Sequence, residues 1–127
     1  MRILLVFLFV ISFLTFTQDG NPDYPWQKLY ADDILDIKFL FYSKADNYNN
    51  GVVIKIENKT SQKIQFSFKL IFKSIEDETS KKVSGLLLPN EIITGSSRGL
   101  FFIPFPDGTG IAELGITKIR SNYYNLD

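Results

Sequence analysis

The sequence predicts an all-β fold, an antiparallel β-sandwich of two sheets with about seven strands. Two observations support this prediction. Several short segments alternate apolar and polar residues with a period of two, and turn-forming residues separate them at intervals of roughly ten residues. No segment after the N-terminal apolar run has the residue spacing of an amphipathic helix. The predicted strands are residues 35–42, 52–57, 63–73, 81–88, 91–94, 100–105 and 111–120.

Residues 63–73, KIQFSFKLIFK, show the clearest alternation. The apolar positions are Ile64, Phe66, Phe68, Leu70 and Phe72. The positions between them are polar or charged except Ile71, so we expect one face of this strand to be buried and the other to meet water. The lysines of the polar face, Lys63, Lys69 and Lys73, are interpreted as the solvated side of a sheet and as protection against edge pairing.

Turn and bulge positions complete the predicted layout. Residues 43–51, SKADNYNNG, end in Asn50-Gly51, a pair that favours the positive φ angles of a type I′ hairpin turn. The last strand contains Gly115, where the apolar register slips and we expect a β-bulge. The number and spacing of the strands resemble the layout of immunoglobulin-like and fibronectin-type modules. The Cys–Trp–Cys pattern of true immunoglobulin domains is missing, so the resemblance concerns the layout alone.

The chain length suits a single domain preceded by an export signal. Arg2 comes before an uncharged apolar run, Ile3–Phe16, which is shorter than the ~20 residues needed to cross a bilayer. We therefore expect residues 1–17 to be a signal peptide, 18–33 an N-terminal leader segment and 34–127 the β-sandwich. The mature chain would then be exported to the periplasm, the cell surface or the medium, without a membrane span. An uncleaved anchor or a buried N-terminal strand is the alternative for the first segment.

Two absences in the composition exclude most catalytic chemistry. The 127 residues include no Cys and no His, which removes disulfides, thiolate nucleophiles, imidazole bases and the common zinc sites. The 14 Lys and Arg residues balance the 14 Asp and Glu residues, so we expect no nucleic-acid partner. No residue pattern indicates catalysis, and we predict no catalytic residue, no cofactor and no metal site.

Two short motifs have ordinary explanations. Residues 46–57, DNYNNGVVIKIE, match part of a calcium-binding EF-hand loop, but Tyr48 and Ile54 occupy ligand positions and predicted strands flank the segment. A hairpin turn explains this segment without an ion. Asn58-Lys59-Thr60 is an N-glycosylation sequon, a three-residue match of the kind that arises often by chance.

Three aromatic residues of the leader, Tyr24, Trp26 and Tyr30, form the first candidate binding surface. A short strand is expected near Trp26. The aromatic rings could stack on the sugar units of a glycan. They could equally fold back over an open end of the sandwich, because Tyr and Trp often cover cores while their polar atoms stay in water.

The second candidate surface is the segment Gly99–Pro106, GLFFIPFP, which is apolar on both faces. A sandwich strand should have one polar face, and Pro104 places this segment at an edge or a bulge because it lacks an N–H group. An open apolar edge aggregates unless something covers it. The N-terminal segment or another protein would supply the cover. We therefore single out Phe101, Ile103 and Phe105 as a possible partner interface.

These observations lead to two functional hypotheses. The first is an exported, non-enzymatic protein of a bacterial cell envelope, which acts through contacts with another envelope protein as an accessory or adaptor subunit. The bacterial source is inferred from heavy use of Asn, Lys, Ile, Phe and Tyr and from an exported domain without Cys. The alternative is a secreted carbohydrate-binding module that uses the aromatic residues of the leader.

Overall fold

The structure, a computed structural model, describes residues 25–46 and 48–124. It confirms the predicted all-β class, since the described residues form two antiparallel sheets. The strands are β1 Gln27–Ala31, β2 Leu35–Tyr42, β3 Gly51–Asn58, β4 Ile64–Lys73, β5 Glu78–Leu87, β6 Ile92–Thr94, β7 Phe101–Phe102 and β8 Glu113–Tyr123, with a 3-10 turn at Ser96–Arg98. The predicted signal peptide, residues 1–17, lies outside the described residues.

The two sheets differ in size. In the larger sheet β1, β2 and β3 follow one another, and the short strands β6 and β7 both pair with the far side of β3. The smaller sheet has the order β5-β4-β8. In the immunoglobulin-like layout, β2 and β3 correspond to strands A and B, and the short strands β6 and β7 together correspond to strand E. In the smaller sheet, β5, β4 and β8 correspond to strands C′, C and F. β1 is an addition at the N-terminal end. The part of the predicted leader between residues 27 and 31 thus belongs to the sandwich, as β1.

The core lies between the sheets, and β4 supplies its centre. Its five inward side chains are at most 3% exposed, as the alternation of residues 63–73 predicted. Opposite them lie the inward side chains of β2 and β3, which are Leu35, Ile37, Phe39, Val52, Ile54 and Ile56. Each such side chain contributes about 1.5–3 kcal/mol to stability when it is fully buried. Across the described residues, no helix is long and apolar enough to span a bilayer.

The β2–β3 connection differs from the predicted type I′ turn. The strands pair up to Tyr42 and Gly51, so the connection is a longer loop, residues 43–50. In this loop Lys44 has a positive φ of 58°, whereas Gly51 does not have one. Gly51 is needed for another reason, because a Cβ atom there would lie 2.7 Å from the Cβ of Ala45. The Asp46 carboxylate orders the loop by accepting bonds from two backbone amides.

The bulge in β8 lies three residues beyond the predicted position. Gly115 pairs regularly with Ile71, and the register shift comes where Lys118 has a positive φ of 54°. The apolar pattern explains this position. Ile116 is buried and Ile119 packs against the core, an odd spacing that an extra residue between them accommodates.

Asn58 at the end of β3 is a buried polar residue that ties three chain segments together. Its Nδ2 atom donates to the carbonyl oxygens of Gln62 at 2.8 Å and of Leu88 at 2.9 Å. Its Oδ1 atom accepts from the backbone amide and the hydroxyl of Thr60. The sequon therefore has a structural explanation, because the nitrogen that a glycan would modify is buried and already donates two hydrogen bonds.

We expect Asn58→Ala to lower the free energy of unfolding by about 3 kcal/mol, because it removes the hydrogen bonds of a fully buried side chain. Urea denaturation followed by circular dichroism measures the change. Gln62→Ala is the control, since only the backbone carbonyl of Gln62 takes part and its side chain is exposed. If the two substitutions lower the free energy of unfolding equally, the hydrogen bonds of the Asn58 side chain do not stabilise the fold as described.

Candidate ligand-binding groove

A groove of about 460 Å³ lies on the outer face of the three-stranded sheet. All three strands contribute to it, and most of its side chains point away from the core. The lining residues are Gln65, Phe66, Ser67, Lys82, Ser84, Gly85, Leu86, Arg120, Asn122 and Tyr124. Polar and basic residues dominate this set, and it contains no acidic residue.

The strand register explains why this surface is concave. Ser67 on β4 lies between Ser84 on β5 and Arg120 on β8 in one row across the sheet. The two serines are short and form the floor. Longer side chains stand on either side, with Lys82 on β5 and Arg120 on β8. Because neighbouring strands are about 4.8 Å apart, these two strands are separated by roughly 10 Å.

Four basic residues line or border the groove, with no acidic partner on any of them. Lys82 and Arg120 line it, Lys69 lies beside Lys82 in the next row, and Lys63 lies at the opposite end. Within the described part of the chain, none of the four forms an ion pair. Like charges directly opposite each other on adjacent strands destabilise a sheet, so the Lys69–Lys82 pair has no structural benefit.

The other end of the groove combines amide, aliphatic and aromatic groups. Gln65 lies between Leu86 and Asn122 in the row after the serines. Tyr124 closes this end, and its backbone N–H donates to the carbonyl of Lys63. The Lys63 ammonium group lies 4.9 Å from the centre of the Tyr124 ring, so it is held at the groove by a cation–π contact.

The β8 bulge is what brings Arg120 to this face. Along β8, Leu114 and Ile116 point into the core, so the odd-numbered positions of the first half face outward. After the bulge at Lys118 the order reverses, and Arg120 and Asn122 face outward instead. Sequence reasoning identified the β4 lysines but missed Lys82 and Arg120, because only the strand register shows that these residues share a surface. The odd spacing of buried positions in β8 was the signal that could have found Arg120.

The arrangement suits binding of an anion. Lys and Arg side chains donate charge-assisted hydrogen bonds, and the serine hydroxyls and side-chain amides both donate and accept. The described residues include no group of three or more Asp or Glu side chains placed to hold a metal ion. The described residues of the groove lining also include no carboxylate that could act as a general base for either serine.

Of the predicted glycan-stacking residues, the structure describes Trp26 and Tyr30. Tyr24 lies outside the described residues. Trp26 is half-buried, and the Lys55 ammonium group lies over its ring, 4.4 Å from the centroid. Tyr30 packs against the core, and its hydroxyl donates to Asp32 at 2.6 Å. The stacking role therefore stays a prediction, with Trp26 as its most accessible described member.

The apolar segment 99–106 is shorter as a strand than predicted. Within this segment only β7, Phe101–Phe102, pairs with β3, because Pro104 has no N–H group to continue the ladder. Strict alternation implied that Phe105 shares a face with Phe101. Phe105 is instead buried in the core cluster. Phe101 and Ile103 remain half-buried, so the predicted partner interface is reduced to these two residues and otherwise stays a prediction.

The carboxylate of Asp32, between β1 and β2, accepts several hydrogen bonds. Burial alone would raise the pKa of Asp32, but several groups together hold this pKa below its ordinary value. These groups are the backbone amides of Leu35 and Ile34, the hydroxyl of Tyr30 and the positive charge of Lys59. In return, burial and the bond to Asp32 raise the pKa of Tyr30 to about 12.

Acid should therefore weaken the β1–β2 connection. The folded-state pKa of Asp32 is lowered, so its contribution to stability is complete above the ordinary Asp pKa and is lost as the pH falls through the folded-state value. We expect Asp32→Asn to cost about 1 kcal/mol at neutral pH and to flatten the loss of stability between about pH 5 and pH 3. Urea titrations across this range measure both effects.

The exposed neighbour Asp33 provides the control. Asp33→Asn removes the same charge from the adjacent position, and we expect the stability of this variant to fall with acid as the unmodified chain does. If both variants have the same pH profile, Asp32 is not the group responsible.

Among solved structures, the chain is similar to the crystal structure of a DUF1425 family member from Shewanella sp. pv-4. The two are 14% identical, and the match covers 77% of this chain and 90% of that chain with a TM-score of 0.47. At this identity and TM-score, the likeness carries no argument about ligands or activity. No protein-family model matches the sequence, and no curated protein matches it significantly.

Proposed function

We propose that this small β-sandwich protein is an exported, non-enzymatic binding protein of the cell envelope, which holds an anionic ligand in the groove on its three-stranded sheet. One observation carries the proposal. Lys82 and Arg120 face a floor of two serines from opposite strands, and the described lining residues include no acidic residue. Export is proposed from the sequence, because Arg2 and the apolar run after it have the form of a signal peptide.

Binding rather than catalysis suits the residues of this groove. Nucleophilic catalysis by Ser67 or Ser84 would need a base to accept the hydroxyl proton. The sequence contains no His, and the lining residues that the structure describes include no carboxylate. The groove therefore offers positive charge and hydrogen bonds to a ligand, without the groups that would convert it.

The groove is open to water, so each charge contact is modest and depends on salt. Exposed ion pairs contribute about 0.2–1 kcal/mol each, and salt at 0.15 M screens charges beyond roughly 8 Å. Useful affinity therefore requires several contacts at once. A ligand with repeated acidic groups meets this requirement better than a single small anion does.

The accessory or adaptor role is the second candidate function. The observation that favours it is the half-buried pair Phe101 and Ile103, which lie in and just after β7 at the edge of the larger sheet. Phe101 also covers Gly51, because a Cβ atom at that glycine would lie 3.2 Å from the Phe101 ring. Ile103 is the better residue for a test, since it lies outside the strand and outside the buried core cluster.

For the groove, we expect the double variant Lys82→Gln/Arg120→Gln to bind inorganic polyphosphate about two- to thirtyfold more weakly than the unmodified chain, because two charge contacts are lost. Isothermal titration calorimetry at low salt measures the affinity. The control is Lys81→Gln/Arg98→Gln, which removes the same residue types and charge from exposed positions away from the groove. If the two double variants weaken binding equally, net charge and not the groove is responsible.

For the adaptor role, the test is the native mass of the protein extracted gently from its source. An adaptor is expected to have a mass larger than that of the mature chain, and Ile103→Ser is expected to return it to the mass of the free chain. Ile75→Ser, at an 88% exposed isoleucine in the β4–β5 turn, is the matched control and should leave the complex intact. A free monomer from the unmodified source would reject this role.

A further inference from the structure

We infer that the ligand of the groove is an acidic polysaccharide, bound along β4 through its acidic groups and its hydroxyl groups. This inference rests on the function proposed above, which requires only an anionic ligand. Three features of the groove lead to it. They are the position on a sheet face, the distribution of the positive charges, and the side chains that lie between these charges.

The position on the face of the sheet argues against an extended peptide. The backbone of β4 is hydrogen-bonded to β5 on one side and to β8 on the other. A ligand on the outer face above β4 therefore meets side chains, because the backbone groups of this strand are already paired. Extended peptides that bind to sheets take much of their affinity from main-chain bonds to an open edge, and this face offers none.

The positive charges extend along the strand and are not gathered at one point. Lys63 at one end and Lys69 at the other are six positions apart, which corresponds to roughly 20 Å along a strand. Arg120 on β8 lies between these ends, and Lys82 on β5 lies directly opposite Lys69. A single phosphate or carboxylate could not contact the whole set. An extended chain with repeated acidic groups could, and the spread of charge therefore favours a polymer.

The uncharged side chains between the cations suit the hydroxyl groups of sugars. The polar atoms of Ser67, Ser84, Gln65 and Asn122 form no side-chain hydrogen bond within the described residues. Each of these groups can donate and accept, as a sugar hydroxyl also does. Leu86, which is 43% exposed, adds an apolar surface against which the C–H face of a sugar ring can pack.

Nucleic acid fits the same surface less well. Proteins that bind single strands place several aromatic rings along a basic groove, so that successive bases stack on them. Of the two aromatic residues among the described lining, Phe66 is buried and Tyr124 is half-buried, and the Lys63 ammonium group already lies over the Tyr124 ring. The groove thus has the charge for a polyanion but lacks the stacking surface for bases.

The experiment measures the binding of five polymers to the mature chain by isothermal titration calorimetry. Polygalacturonate carries carboxylates, heparin carries sulfates, and dextran is neutral. Poly-L-glutamate and an oligo-dT strand are polyanions without exposed sugar hydroxyl groups in comparable number. We expect binding of at least one acidic polysaccharide, at least tenfold weaker binding of poly-L-glutamate and oligo-dT, and no binding of dextran. The two acidic polysaccharides show which acid the groove prefers.

A second variant separates recognition of the sugar from recognition of charge. We expect Gln65→Ala/Asn122→Ala to weaken binding of the acidic polysaccharide at least fivefold, while binding of inorganic polyphosphate changes by less than twofold. Gln62→Ala is the matched control, because its exposed amide lies outside the groove. Thermal unfolding of each variant shows that the fold is retained.

The outcomes distinguish this inference from the proposed function. Suppose that poly-L-glutamate or oligo-dT binds as tightly as the polysaccharides, and that this binding depends on Lys82 and Arg120. The anion-binding function then stands and the polysaccharide inference is wrong. The inference also fails if neither acidic polysaccharide binds, or if the Gln65 and Asn122 substitutions have no selective effect. If no polyanion binding depends on Lys82 and Arg120, both proposals fail.

Discussion

The position of β4 between β5 and β8 is the constraint on which the rest of the structure depends. This strand is hydrogen-bonded on both sides, so its backbone is satisfied, and its five inward side chains are almost completely buried. Strict alternation along β4 then commits every intervening side chain to the outer face. A shift of one residue would put phenylalanines in water and lysines in the core, so burial specifies the register strongly.

The same constraint creates the surface that we assign to binding. The inner face of the small sheet is apolar because it must close the core, but stability places little demand on its outer face. That face carries Lys69 opposite Lys82, serines in a row with Arg120, and a bulge that turns Arg120 outward. Opposed like charges and a local break in the ladder do not strengthen a sheet. We therefore interpret this face as the part of the molecule that serves function.

The strands could be predicted where one face is buried and the other is exposed to solvent. β2, β3 and β4 agree closely with their predicted ranges, because alternation records burial directly. The prediction differed from the structure where another contact decided the local conformation. Gly51 accommodates a close approach of Ala45 rather than a positive φ angle, and Phe105 enters the core because the strand ends early at Pro104. Local residue type does not reveal such contacts.

The sequence by itself determined the fold class, the buried face of β4 and the lack of His and Cys. These properties follow from composition and from a period of two, which are local. The tertiary structure alone decided which residues share the groove. Lys69, Lys82 and Arg120 are far apart in the chain and become neighbours through two strand ladders and one bulge. The register between distant strands depends on the packing of the whole core, so no single segment of the sequence predicts it.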